Sequence, residues 1–226
     1  DEPARAMEFA SKALDLDAGL VPAASVVARS HVASGSTRRA MKVLRAAWVA
    51  MPHPDLADLI AHADASGTAE ANFERVRDTV GPAADHIENA VALARSAIAA
   101  RRYDVAREAL SSHIAEQPQA RVCAMMAQIE DASDNKGRVK EWLARAIHAP
   151  RDPMWVSDGV ANTRWVAVSP VTGEIVPCEW KTPYEAPQGS ISFKTETTTD
   201  KPLLEARSDS TASAPATITP PRADDP

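Results

Sequence analysis

The chain has 226 residues, of which 45% are hydrophobic and only 4% aromatic, with 25 Lys and Arg against 31 Asp and Glu for a formal net charge of -6. That charge is spread without a basic cluster, so the concentrated Lys and Arg that phosphate contacts demand are missing and no nucleic acid partner is expected. Two cysteines, Cys123 and Cys178, do not make a disulfide framework. The longest uncharged, mostly apolar run, at Leu20 to Ala28, contains a proline and a serine and is too short to span a bilayer.

Most of the apolar residues are alanines, the best helix formers and the smallest side chains for closing one helix on another. Such a thin core suits an elongated repeat array better than a compact globule. The sequence opens at Asp1 and enters a helix at once. Arg5 to Ala18, with Ala6, Ala10 and Ala13 on one stripe, reads as the second helix of a preceding repeat. An unpaired half-repeat leads to the expectation of a C-terminal part of a longer protein.

From residue 21 a helical pattern recurs about every 33 residues. Ala24, Val27, Ala28 and His31 are followed by Ala40, Leu44, Ala47 and Pro52. Ala90, Leu93, Ala94 and Ala97 precede Ala106, Leu110, His113 and Pro118. Cys123, Met126 and Ala127 precede Val139, Leu143, Ala146 and Pro150. Between them, 54–86 is degenerate but keeps register, with Leu56, Leu59, Ile60 and Ala63 on one stripe and Phe73, Val76 and Val80 on another, joined by a turn at Ser66-Gly67-Thr68. This is the spacing of the tetratricopeptide repeat, in which small residues let two antiparallel helices approach and a proline ends the second. The expected fold is all-α: about four and a half helical-hairpin repeats over 1–153, forming a solenoid.

At Arg151 the character changes. Trp155, Trp165 and Trp180 fall close together among the turn residues Asp158-Gly159, Pro170, Gly173 and Pro177. Trp165 to Val168 and Glu174 to Val176 are read as short strands. Residues 154–184 thus form a small Trp-rich β-hairpin module, expected to cap the end of the array through Trp155, Trp165 and Trp180. Replacing Trp165 by Ala should then lower the melting temperature. Residues 185–226, rich in Ser, Thr, Pro and acidic side chains, are expected to be a disordered tail.

No catalytic arrangement emerges. The six histidines never fall three or four apart, so no helical metal pair forms. His31, His113, Cys123 and His148 are haem-ligand candidates, against the alternative that His31 and His113 pack between helices and Cys123 fills a core gap. Ser169-Pro170-Val171-Thr172-Gly173 has the form of a zinc knuckle with both cysteines replaced, and Trp155 to Gly159 resembles the other knuckle more loosely. The module is therefore either a metal-free zinc-ribbon relic or an unrelated hairpin, and no metal is expected. If first helices line a groove, Arg29, Arg95 and Gln128 occupy equivalent turns. Ser25, Val91 and Ala124 lie one turn earlier, and Glu88 and Arg121 stand at the entrance. The arginines suit a partner's carboxylate, while a plain solvated face is the alternative.

The junction carries a more specific likeness. Trp142-Leu143, Ala149-Pro150-Arg151-Asp152-Pro153, Trp155, Asp158-Gly159, Trp165, Ser169 to Gly173 and Glu179-Trp180 resemble the C-terminal half of the HemY family. These are bacterial inner-membrane tetratricopeptide proteins associated with haem biosynthesis. The resemblance covers about 1–184 and implies a non-catalytic scaffold for late haem enzymes such as ferrochelatase, with haem contact an option. It also implies an N-terminal membrane anchor, not contained in this sequence, and repeats facing the cytoplasm; the piece read here would itself be soluble. Alternatives are a scaffold for envelope or lipopolysaccharide assembly and a haem-binding or haem-transfer protein.

Overall fold

The alanine spacing resolves into nine α-helices among the described residues of the computed structural model, which are 2–64, 67–81, 86–115 and 117–183. They are α1 Glu2–Leu16, α2 Val21–Ala33, α3 Thr37–Ala50, α4 Pro54–Ala61, α5 Ala69–Val80, α6 Ile87–Ala99, α7 Tyr103–Leu110, α8 Ala120–Ala132 and α9 Lys136–His148. A 3-10 turn, Ser111–His113, follows α7 and contains His113. All these residues belong to one unit, Asp1–Tyr184; a second unit is Glu185–Pro226. The expected disordered tail, 185–226, and Ser66 of the expected turn lie outside the described residues.

The hairpins share one stop signal. After α2, α6 and α8 the chain enters the left-handed region at Gly35 (φ 71°), Arg101 (φ 60°) and Asp134 (φ 53°). The next amide then reaches back over the helix end: Ser36 N–H to the His31 carbonyl at 2.7 Å, Arg102 to Ala97 at 2.7 Å and Asn135 to Glu130 at 3.0 Å. This closure satisfies carbonyls that the helix end leaves open and reverses the chain. The starts are signalled too. Pro54 opens α4, and the side chains of His53, Thr68, His86 and Asn135 accept an amide hydrogen in the first turns of α4, α5, α6 and α9.

Small residues allow close packing. Ala24, Ala28, Ala40, Ala94, Ala97 and Ala106 are fully buried. Each of α2, α6 and α8 packs on the helix that follows it, and α2 also contacts α4, α4 contacts α6, and α6 contacts α8. Two main cores result. One holds Leu44, Trp48, Leu56, Ile60 and Val76, the other Phe73, Leu110, Val122, Cys123 and Ile129.

After α9 the chain forms an antiparallel three-stranded sheet in the order β2-β1-β3, from β1 Met154–Ser157, β2 Val160–Asn162 and β3 Cys178–Lys181. Asp158 and Gly159, at φ 52° and 77°, make the two-residue turn between β1 and β2 that the Asp-Gly pair favours. The fold is thus mostly helical with a small sheet. Two expectations change. Trp165–Val168 and Glu174–Val176 are not strands, because β1 finds its second partner in Cys178–Lys181, pairing Trp155 with Trp180 and Ser157 with Cys178. Nor does the sheet sit as a cap at the end of the array. Trp155 belongs to the core cluster of α2 to α5, with Trp180 and Cys178 packed against it.

Candidate partner groove and its tryptophan clasp

The sheet reaches the core built by α2 to α5 because of where α9 ends. Running antiparallel to α8, α9 delivers the chain to the start of α8, where the Ala120 amide donates to the Pro150 carbonyl at 3.3 Å. The Arg121 amide donates to Asp152 at 3.2 Å. The Arg121 guanidinium then reaches α6, donating to both Glu88 oxygens at 2.9 and 2.6 Å. Both side chains are nearly buried, at 13% and 4% exposure. Such a two-pronged pair is strong because charge and geometry agree. Glu88 and Arg121, expected to stand at an open groove entrance, therefore neutralise each other and tie α6 to α8.

One step further along this rim is His53, at the start of α4. It is fully buried, and its ring lies 4.8 Å from that of Trp155 and 4.2 Å from that of Trp180. The two indoles meet edge-on at 5.4 Å. The Asp55 amide donates to His53 Nδ1 at 3.1 Å, so the neutral ring carries its proton on Nε2. Burial holds the His53 pKa below its ordinary value; Asp55 and Glu88 oppose this and Arg121 adds to it. His53 Nε2, Trp155 Nε1, Ser157 Oγ and Trp180 Nε1 are all buried without a hydrogen-bond partner among the described residues. Shape and aromatic contact, rather than hydrogen bonding, hold this clasp.

Trp165, expected to share that task, is 38% exposed. It follows bends at 163–164 and has no strand partner to press it inward. Beyond it, the Ser169 hydroxyl donates to Asp158 at 2.9 Å and accepts from the amides of Val171 and Thr172 at 3.0 and 3.1 Å. The two knuckle-like turns are therefore joined by a hydroxyl and a carboxylate.

Away from the clasp, Arg29, Arg95 and Gln128 are exposed on α2, α6 and α8, with Ser25 and Ala124 half-buried one turn earlier. Val91 is instead buried, at 2% exposure. Arg95 meets Asp58 of α4 at 3.3 Å, with both side chains largely in solvent. All three side chains are thus exposed, and the arginine on α6 already has a neighbour. The sequence offered no sign of Asp58 because that pairing crosses 37 residues.

The haem-ligand candidates fall on four elements. His31 is half-buried on α2, His113 half-buried in the 3-10 turn, Cys123 fully buried on α8 and His148 exposed in the last turn of α9. Burial raises the Cys123 pKa, against the pull of Arg145, and its thiol faces the Pro118 carbonyl at 3.9 Å. Both cysteines are free. Among the described residues there is no group of three or more His, Cys, Asp or Glu placed to hold a metal, and no helix long and apolar enough to cross a membrane.

With that geometry in hand, comparison with known proteins adds one likeness. The chain is similar to the probable magnetosome protein Mms48 of Magnetospirillum gryphiswaldense, at 27% identity over 183 residues, covering 79% of this chain and 41% of that protein. The chain thus spans less than half the length of the curated relative it matches. No family model and no solved structure matches it.

Proposed function

We propose that this chain is a non-catalytic protein-interaction scaffold, built as a tetratricopeptide-type solenoid whose first helices present a partner groove. The observation that supports this most is the repeated hairpin stop at Gly35, Arg101 and Asp134, together with the exposed row of Arg29, Arg95 and Gln128. A regular stack offers a long surface made of equivalent turns, which suits an extended partner segment. In this reading the scaffold is held at the bacterial inner membrane and gathers late haem enzymes, ferrochelatase among them. Tethering raises a partner's local concentration to roughly millimolar for short links, so no chemistry of its own is required.

A second reading of the partners follows from the similarity to a protein named for the magnetosome: the same groove gathers magnetosome components. In-cell cross-linking with mass spectrometry on the full-length protein decides between them. Haem enzymes cross-linked beside Arg29, Arg95 or Gln128 support the first reading, and magnetosome proteins at those positions the second. Partners that persist undiminished in an Arg29→Glu, Gln128→Glu double variant would overturn the groove itself.

A further inference from the structure

The helices α2, α6 and α8 each have 13 residues, but α4, their counterpart in the degenerate repeat, has 8. At 1.5 Å per residue, five missing residues remove about 7 Å of helix. A cavity of about 250 Å³ opens between α4, α5 and α6, lined by Ala57, Asp58, Ala61 and His62 at the end of the shortened α4 and by the C-terminal half of α6. Alanines are five of its eleven lining residues, with Ala61, Ala69, Ala92 and Ala99 contributing methyl groups where larger side chains would close the gap. Arg95 and Asp58 also line it.

Resting on the scaffold reading above, we propose that this gap is an anchor pocket of the groove, taking one apolar side chain of a protein partner whose neighbouring carboxylate sits on Arg95. Size and charge both point that way. The cavity is below the roughly 300–1,000 Å³ of pockets for drug-sized ligands, which fits one side chain. The Arg95–Asp58 pair is exposed on both sides, 49% and 62%, and such pairs contribute little. A partner carboxylate therefore displaces Asp58 readily and gains a two-pronged contact with the guanidinium. The Arg95–Asp58 pair stands apart from the Glu88–Arg121 pair of the rim, although Ala57, Val76 and Ala92 of the pocket lining belong to the same core as Trp155. Seven residues separate Glu88 from Arg95 along α6, about 10 Å.

The test uses labelled capped peptides Gly-Ser-X-Asp-Ser-Gly, with X as Ala, Val, Leu or Phe, and fluorescence anisotropy on the full chain. Affinity should rise by about tenfold or more from Ala to Leu, as burial of an apolar side chain predicts. It should fall several-fold when the peptide Asp becomes Asn. Ala61→Leu, at a half-buried wall position, should remove the preference for Leu over Ala while circular dichroism stays unchanged. A flat series across X, or an Ala61→Leu protein that keeps the Leu preference, overturns the pocket. If peptides discriminate but no protein cross-links to the groove in cells, the scaffold reading fails and the pocket stands. If proteins cross-link at Arg29 and Gln128 while the peptide series is flat, only the pocket fails.

Discussion

Replacing Trp155 by Ala tests the clasp most directly. The indole is 4% exposed and touches His53 and Trp180 while sitting in the core of α2 to α5. Deleting a buried Trp typically costs about 3–5 kcal/mol. Against that, its Nε1 is buried without a partner, and relieving an orphaned donor returns about 1–3 kcal/mol. Taking the middle of each range, a net loss of about 2 kcal/mol remains, and at about 2–4 °C per kcal/mol for a unit of this size the melting temperature should drop by roughly 4–8 °C. Circular dichroism measures the helices, and tryptophan fluorescence, to which Trp48 of α3 and Trp142 of α9 also contribute, follows side-chain packing in the same melt. Trp165→Ala is the control, since a side chain 38% exposed should shift the melt by no more than about 2 °C. If Trp165→Ala proves as damaging as Trp155→Ala, the docking described here is wrong and the tryptophans act as the end cap that the sequence suggests.

Three further outcomes follow from the same rim and its turns. Because burial lowers the His53 pKa, the unfolded chain binds more protons between the folded value and about 6.5, so stability is full above about pH 7 and declines on acidification through the histidine range. The slope is at most about 1.4 kcal/mol per pH unit for that one proton. Urea midpoints at stepped pH should show a shallower decline in His53→Asn, which keeps a side chain able to cap α4. Arg121→Ala should cost about 3–5 kcal/mol by stranding the buried Glu88 carboxylate, and a double variant with Glu88→Gln should recover part of it; additive losses in urea melts would refute the pairing. Arg101→Gly should raise stability by about 0.5–1 kcal/mol, since glycine adopts the left-handed turn without the Cβ clash; a loss in thermal melts would contradict that geometry.

Local physics made most of the helical part legible. The alanine stripes locate α2, α3, α6 and α8 because burial of a helix face imposes its own period on the sequence, whereas in α9 the expected stripe residue Leu143 is 49% exposed and Trp142 is the buried one. The Asp-Gly pair marks the β1–β2 turn for an equally local reason. What stayed hidden depends on distant partners. His53 has no neighbouring histidine and reads as an ordinary residue before Pro54, yet it meets tryptophans about a hundred residues away. The short run at Trp165–Val168 alternates like a strand, but strand identity needs a partner, and β1 pairs with Cys178–Lys181 instead. Arg95 and Arg121 both read as groove arginines in the sequence, one on the row of equivalent turns and the other at the entrance. Only the fold separates an exposed pair with Asp58 from a buried one with Glu88.

That separation orders the first helices along their length. Their N-terminal ends are spent on structure: His53 under two indoles, Glu88 on Arg121, and the Arg121 amide on Asp152. Their C-terminal halves carry the exposed Arg29, Arg95 and Gln128 and the gap beside α4. Glu88 and Arg95 stand about 10 Å apart along α6, and effects of sites at that distance add to within a few tenths of a kcal/mol. Losses of stability should therefore map to the rim and losses of partner binding to the other half. A double variant of Trp155→Ala with Arg95→Ala is the point where this can break. If its binding defect exceeds the sum of the two single defects, the sheet is part of the binding surface rather than its support.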